Sequence, residues 1–100
     1  MNIQQLEYIL AVDQLKSFSK AADYCHVTQA TLSAMVKKLE EELDIVIFDR
    51  KASPIAATEN GREILNQAQQ VVAHANALMD SSKSINRKME GKVKLGVIPT

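Results

Sequence analysis

Tryptophan is missing from this 100-residue chain, and glycine (three), proline (two) and cysteine (one) are scarce. Each shortage excludes something. A single cysteine, Cys25, admits no internal disulfide, which sets aside a stapled secreted scaffold and fits a reducing, cytoplasmic setting. With no second cysteine beside it, Cys25 is read as a small core residue and not as a redox centre. Three glycines leave no Gly-rich phosphate loop. The aromatics number two tyrosines and two phenylalanines. Tyr8, Phe18, Tyr24 and Phe48 fall on apolar faces and are assigned to the core rather than to base stacking. No apolar run approaches the length of a membrane span, and the amino terminus MNIQQLEYIL lacks the basic-then-apolar layout of a signal peptide. Neither a membrane partner nor export is therefore expected.

No nucleophile, base and orienting group lie together, so the chain is not expected to be an enzyme. His26 and His74 lack spacing partners for a metal site, so no metal and no cofactor are expected. Charge of one sign is also lacking. Twelve basic and twelve acidic residues cancel, whereas a simple nucleic-acid binder announces itself by high pI. A DNA-binding reading must rest on where the charges sit.

What is present is Ala, Leu, Val and Ile at helical spacing, enough for one small domain plus an appendage. The expected fold class is mainly α. Ile3, Leu6, Ile9, Leu10 and Leu15 predict a first helix over Ile3 to Leu15. Ser17 or Ser19 caps a short second helix, Phe18 to Cys25, whose Ala21–Ala22 pair permits close approach. After the His26–Val27 turn, Thr28 caps a third helix running to Leu43. The apolar runs IVIF (45–48) and PIAAT (54–58) flank DRKAS and read as a small β-hairpin, or wing. From Thr58 a long helix begins, with Ile64, Ala68, Val71, Ala75, Leu78, Ser82, Ile85 and Met89 stepping by four and three. That spacing is a coiled-coil seam, and with no second helix in its own chain to cover it, it calls for a second copy. KVKLGVIP, after Gly91, reads as the opening strand of a further domain. The expected division is 1–58 as a winged helix-turn-helix, 59–90 as a linker and dimerisation helix, and 91–100 as the start of a carboxy-terminal domain. On this reading the chain is the amino-terminal piece of a longer protein.

The third helix carries the functional signal. Leu32, Val36, Leu39 and Leu43 face the core, and the opposite side collects Ala30, Ser33, Ala34, Lys37 and Glu41. Its amino-terminal half is small and neutral, with Thr28, Gln29 and Thr31 adjoining, so it can seat deeply in a major groove and offer hydroxyl and amide groups to base edges. Lys37 and Lys38 follow where phosphates line the groove wall. Glu40 to Glu42 would be repelled there and must lie beyond it. Two short helices, a packing helix before them and a hairpin after them make a winged helix-turn-helix.

SFSKAADYCHVTQATLSAMVKKLEEELDIVIFDR, followed by Thr-x-x-Gly at Thr58 to Gly61, resembles the LysR-type transcriptional regulators over nearly the whole chain. The alanine pair, the V-T-Q-x-x-L-S run, Leu39–Glu40, Phe48-x-Arg50 and the Thr–Gly pair coincide in order and spacing. CHVTQATLS together with LGVIPT (95–100) is similar to the hydrogen-peroxide-responsive branch, whose redox cysteines would lie beyond Thr100. The resemblance implies a homodimer on double-stranded DNA reading an inverted repeat, with a tetramer open to the full-length protein. It also implies an effector-binding domain in which Thr100 belongs to the ligand-site lip, so a small-molecule or redox effector would act only through the missing part. Expected DNA contacts are Thr28, Gln29, Ala30, Thr31, Ser33, Ala34, Lys37, Lys38, Arg50, Lys51 and Ser53. The expected dimer interface is Ile64, Ala68, Val71, Ala75, Leu78 and Ile85.

Four positions depart from the family's pattern. Ala30 and Ala34 stand where proline and an arginine or polar residue are common, implying fewer base contacts. Asp44 replaces a helix-ending glycine, and Ser53 replaces a wing arginine that enters the minor groove, with Lys51 the nearest substitute. The competing function class is a helical dimerisation or adaptor module that binds protein and not DNA, which zero net charge and the long seam would also suit.

Overall fold

The computed structural model describes residues Met1 to Val93, with side chains through Met89. Helix α1 (Ile3–Leu15) starts at a reciprocal cap, in which Asn2 Oδ1 accepts the Gln5 N–H and Gln5 Oε1 accepts the Asn2 N–H. Two donors that a helix start leaves free are thereby satisfied. α1 buries Leu6, Tyr8, Ile9, Ala11 and Val12, which lie on several sides of it. A helix apolar over that much of its circumference belongs in the middle of a fold. It touches α2 (Phe18–Cys25), α3 (Gln29–Leu43) and α4 (Glu59–Val93). Gln5 is itself buried, and its amide donates to the Met35 carbonyl of α3 at 3.2 Å.

Phe18, Ala21, Ala22 and Cys25 turn α2 towards this core, while Leu32, Val36 and Leu39 do the same for α3. Each fully buried Leu or Val contributes roughly 1.5–3 kcal/mol relative to exposure. The stripe at 18, 21, 22 and 25 leaves Tyr24 outside, 71% exposed, which corrects its assignment to the core. Spacing alone could have found this, since 24 lies off that stripe.

The first three helices all end in a left-handed residue without glycine: Lys16, His26 and Asp44, with φ of 56°, 60° and 55°. The cost of that conformation is offset in two of them by a double hydrogen bond. Val27 and His26 donate to the Ala22 and Asp23 carbonyls, and Ile45 and Asp44 donate to those of Glu40 and Glu41. Val27 and Ile45 then pack on the core, the apolar contact that accompanies this motif.

The wing is smaller than expected. β1 (Phe48–Asp49) pairs antiparallel with β2 (Ala56–Ala57), in the register Phe48 to Ala57 and Asp49 to Ala56. Ile45 to Ile47 form no strand because their backbone groups bond elsewhere. The Ile47 N–H goes to the Glu40 carboxylate, and the Val46 carbonyl accepts from the Thr58 hydroxyl.

Helix α4 begins at Thr58, whose hydroxyl accepts the Gly61 N–H at 2.9 Å and whose own N–H donates to the Ile47 carbonyl at 2.9 Å. Its first turns close the core with Leu65 and Ala68, and Arg62 grips Asp13 of α1 through two hydrogen bonds of 2.8 and 2.9 Å. α4 continues through Gly91 to Val93, three residues past the expected boundary. One glycine costs about 1 kcal/mol in a helix but keeps its N–H, so it need not end one. The expected strand thus does not begin at Lys92. LGVIPT (95–100), Thr100 included, lies outside the described residues.

Gly61 explains the Thr-x-x-Gly spacing physically. A Cβ at this position would stand 2.1 Å from the Ile47 carbonyl oxygen and 2.7 Å from its carbon. Gly61→Ala is therefore expected to lower stability by about 1–3 kcal/mol, as overpacking does, although alanine is the better helix former. Denaturant unfolding followed by circular dichroism measures this. An unchanged or raised midpoint would show that α4 can draw back from Ile47 without loss.

Candidate nucleic-acid interface

The amino-terminal half of α3 opens on the surface of the domain body. The Thr28 hydroxyl accepts the Thr31 N–H at 3.1 Å and donates to the Thr31 hydroxyl at 2.9 Å. Thr28 is thereby occupied as the helix cap, a role worth about 1 kcal/mol. Thr28, Gln29, Ala30, Thr31, Ala34, Lys37 and Lys38 are all exposed. The residues between them, Leu32 and Val36, hold the helix to the core with no exposed surface. One helix thus carries two faces set by its 3.6-residue period.

Ser33 and Arg50 differ from the other expected contacts. Arg50 Nη1 donates to Ser33 Oγ at 3.0 Å and Nη2 donates to Glu40 Oε1 at 3.3 Å. Its guanidinium carbon lies 4.6 Å from the centroid of the Phe18 ring, which meets Phe48 edge-on at 6.0 Å. Arg50 therefore ties α2, α3 and the wing together, and Ser33 is half-buried beneath it. Lys51 and Ser53, in the loop between the strands, are exposed. The structure brings that loop and α3 together at Arg50.

Glu40 is the functional residue that sequence reasoning missed. The sequence groups it with Glu41 and Glu42 as an acidic end that must avoid phosphate. Its side chain is instead only 12% exposed, and Oε2 accepts the Ile47 N–H at 2.7 Å and the Phe48 N–H at 3.4 Å. A carboxylate taken so far out of water persists because its lone pairs are filled and a guanidinium faces it. The available signal was the pairing of Leu39–Glu40 with Phe48-x-Arg50, which together supply a buried acid and its cation. Glu41, Glu42 and Asp44 remain on the surface, with Glu42 at 2.6 Å from the amino-terminal ammonium.

The stripe on α4 divides in two. Ala68 is 2% exposed and Ile64 is half-buried against the core of its own domain. Ala68 is thereby corrected from a seam residue to a core residue of its own domain, where α1 packs on this part of α4, while Ile64 keeps part of its surface free. Past that point Val71, Leu78, Ile85 and Met89 are exposed, and Ala75 is half-buried. Cys25 is half-buried, and burial, followed by the charge of Glu7, pushes its thiol above the ordinary value. Reactive cysteines are shifted the other way. Among the described residues no helix is long and apolar enough to cross a membrane, and no three metal-ligating side chains cluster.

Comparison with known proteins agrees with this geometry. Residues 3–62 match the family described as bacterial regulatory helix-turn-helix protein, lysR family. The hydrogen peroxide-inducible genes activator of Haemophilus influenzae is 37% identical over the whole chain, which spans 33% of that protein's length. A full-length OxyR variant from Pseudomonas aeruginosa superposes with a TM-score of 0.80 at 40% identity, covering 84% of this chain and 28% of that one. The BenM DNA-binding domain, solved in complex with catB site 1 DNA, gives a TM-score of 0.85 at 30% identity, covering 89% and 96%.

Removing Glu40 should unsettle the wing and Arg50 together. Glu40→Ala leaves the Ile47 N–H without its acceptor and Arg50 without its carboxylate, and is expected to cost about 2–3 kcal/mol. Glu40→Gln, whose amide oxygen can still accept from Ile47, should cost less. Urea unfolding of both variants checks this, and equal midpoints for parent and Glu40→Ala would count against it.

Proposed function

This chain belongs to the LysR family of bacterial regulatory helix-turn-helix proteins, and on that premise we propose that it binds double-stranded DNA as a sequence-specific transcriptional regulator. The observation that carries the reading is the exposed, small and uncharged front of α3, followed by Lys37 and Lys38 and flanked by Lys51. Gln29 is the amide able to make a paired contact with adenine, and Thr31 offers a hydroxyl at the groove edge. Lys37, Lys38 and Lys51 supply phosphate contacts, which orient the protein without carrying sequence information. Ala30 and Ala34 add closeness of approach and no polar contact. Ser53, lacking a cationic side chain, leaves minor-groove electrostatics to its neighbours.

Residues 1–58 act as the DNA-binding unit, α4 as the linker, and the segment that follows α4 opens an effector-binding domain to which Thr100 belongs. A small-molecule or redox effector would work through that domain, with the chain in the cytoplasm and performing no catalysis. The active form is a homodimer joined along Val71, Ala75, Leu78 and Ile85, reading an inverted repeat, and full-length copies can pair further into tetramers.

Two measurements test this. Binding to a mixed-sequence duplex should weaken steeply with salt, by about 0.9 in log K per unit log salt for each phosphate neutralised. Lys37→Ala should make that slope shallower on all duplexes alike. Gln29→Ala should keep the slope and relax preference at one base position per half-site, by roughly 1–3 kcal/mol of discrimination. A protein-binding adaptor would show no slope at all, and that result would end the DNA reading.

The α4 stripe is tested by sedimentation. Val71→Glu would bury an unpaired carboxylate at several kcal/mol unless the helices part. The variant should be monomeric at concentrations where the parent is dimeric. If both sediment as dimers, the interface lies elsewhere.

A further inference from the structure

We propose that Arg50 is a positioning residue, acting on base recognition through the Ser33 hydroxyl and making no phosphate contact of its own. This rests on the reading that α3 engages duplex DNA. It begins from the direction of one hydrogen bond. A guanidinium has donors and no acceptor, so in the 3.0 Å contact between Arg50 Nη1 and Ser33 Oγ the serine oxygen must accept. Among the described residues the Ser33 hydroxyl donates to nothing in the protein. One lone pair is thereby taken, and the hydrogen and the second lone pair are left to bond outside the protein, on the side of α3 between Ala30 and Lys37. The bond is charge-assisted, which polarises the hydroxyl further as a donor.

A hydroxyl set this way favours base edges that accept: guanine N7 or O6, adenine N7, or thymine O4. It disfavours the cytosine amino group, which only donates. The second lone pair of Ser33 can still accept, but beside the guanidinium charge donation is the stronger mode, whereas a serine without this bond meets either kind more evenly. Arg50 thus narrows what Ser33 can read without touching DNA.

The remaining contacts of Arg50 keep it from the backbone. Nη2 faces Glu40, whose side chain is 12% exposed, and the plane of the guanidinium rests against Phe18. To reach a phosphate, Arg50 would leave a largely buried carboxylate unpaired and forfeit its hold on Ser33 as well. Lys37, Lys38 and Lys51 are exposed and have no side-chain ion pair among the described residues. They can meet phosphates at no such cost.

The test uses the 100-residue chain with Ser33→Ala, Arg50→Lys and the two combined, each selected against a pool of random-sequence duplexes. Lysine keeps the pairing with Glu40, but as a single point donor it does not span Glu40 and Ser33 together. Ser33→Ala and Arg50→Lys should each lose preference at the same half-site position, by roughly tenfold to a hundredfold, and the double variant should lose no more. A second arm removes the charge. Arg50→Met is made in a Glu40→Gln background, where no charge is left unpaired and Ile47 keeps its acceptor. Salt titration on one mixed-sequence 30-bp duplex should give this variant the slope of the parent, in which Arg50 is held by Glu40. A slope shallower by about 0.9 per half-site would place Arg50 on a phosphate and overturn the proposal. So would an unchanged selected motif for Ser33→Ala or for Arg50→Lys. A parent that binds no duplex at low salt defeats the DNA reading itself, a result distinct from both.

Discussion

The peptide groups of Ile47 are the point on which the rest of the structure turns. Its N–H is held by Glu40 of α3, and its carbonyl accepts from Thr58 at the head of α4. Its side chain has no exposed surface, and Gly61 lies so close that no Cβ fits between them. One residue therefore joins the carboxy-terminal part of α3, the base of the wing and the start of α4. Its two backbone groups are satisfied by side chain and cap, not by a sheet ladder. That is also why the wing pairs over only two residues on each strand.

This junction governs how the α3 surface is presented. Buried Leu32, Val36 and Leu39 set the rotation of the helix, while Glu40 sets where the wing meets it. Arg50 then closes the gap from the wing side, reaching Ser33 and Glu40 across the Phe18 ring. A chain with no net charge can present a basic edge because several acids are drawn away from it. Glu40 turns inward, Asp13 is taken by Arg62, and Glu42 pairs with the amino terminus.

α4 does two jobs along one apolar stripe. Leu65 and Ala68, with Ile64 and Val72 beside them, complete the core of their own domain. Beyond Val72 the helix outruns the domain, and the same spacing continues on exposed residues from Leu78 to Met89. A heptad-like pattern does not say which neighbour will cover it, because any apolar surface removed from water contributes alike.

The helices were legible in the chain because their causes are local. Apolar spacing, Ser17 and Thr28 as caps and the alanine pair placed α1, α2 and α3 at their observed bounds, and the neutral front of α3 was readable from its wheel. The family resemblance read from the motifs was matched by the comparisons over the same stretch. What only the tertiary structure decided were the pairings of residues distant in sequence. Glu40 with Ile47, Arg50 with Ser33, Gly61 against Ile47 and Ala68 in the core all depend on which elements meet and at what separation. The charge and period of a residue are properties of its own helix. Whether it faces water, a carboxylate or another backbone is settled only when that helix is packed against the others.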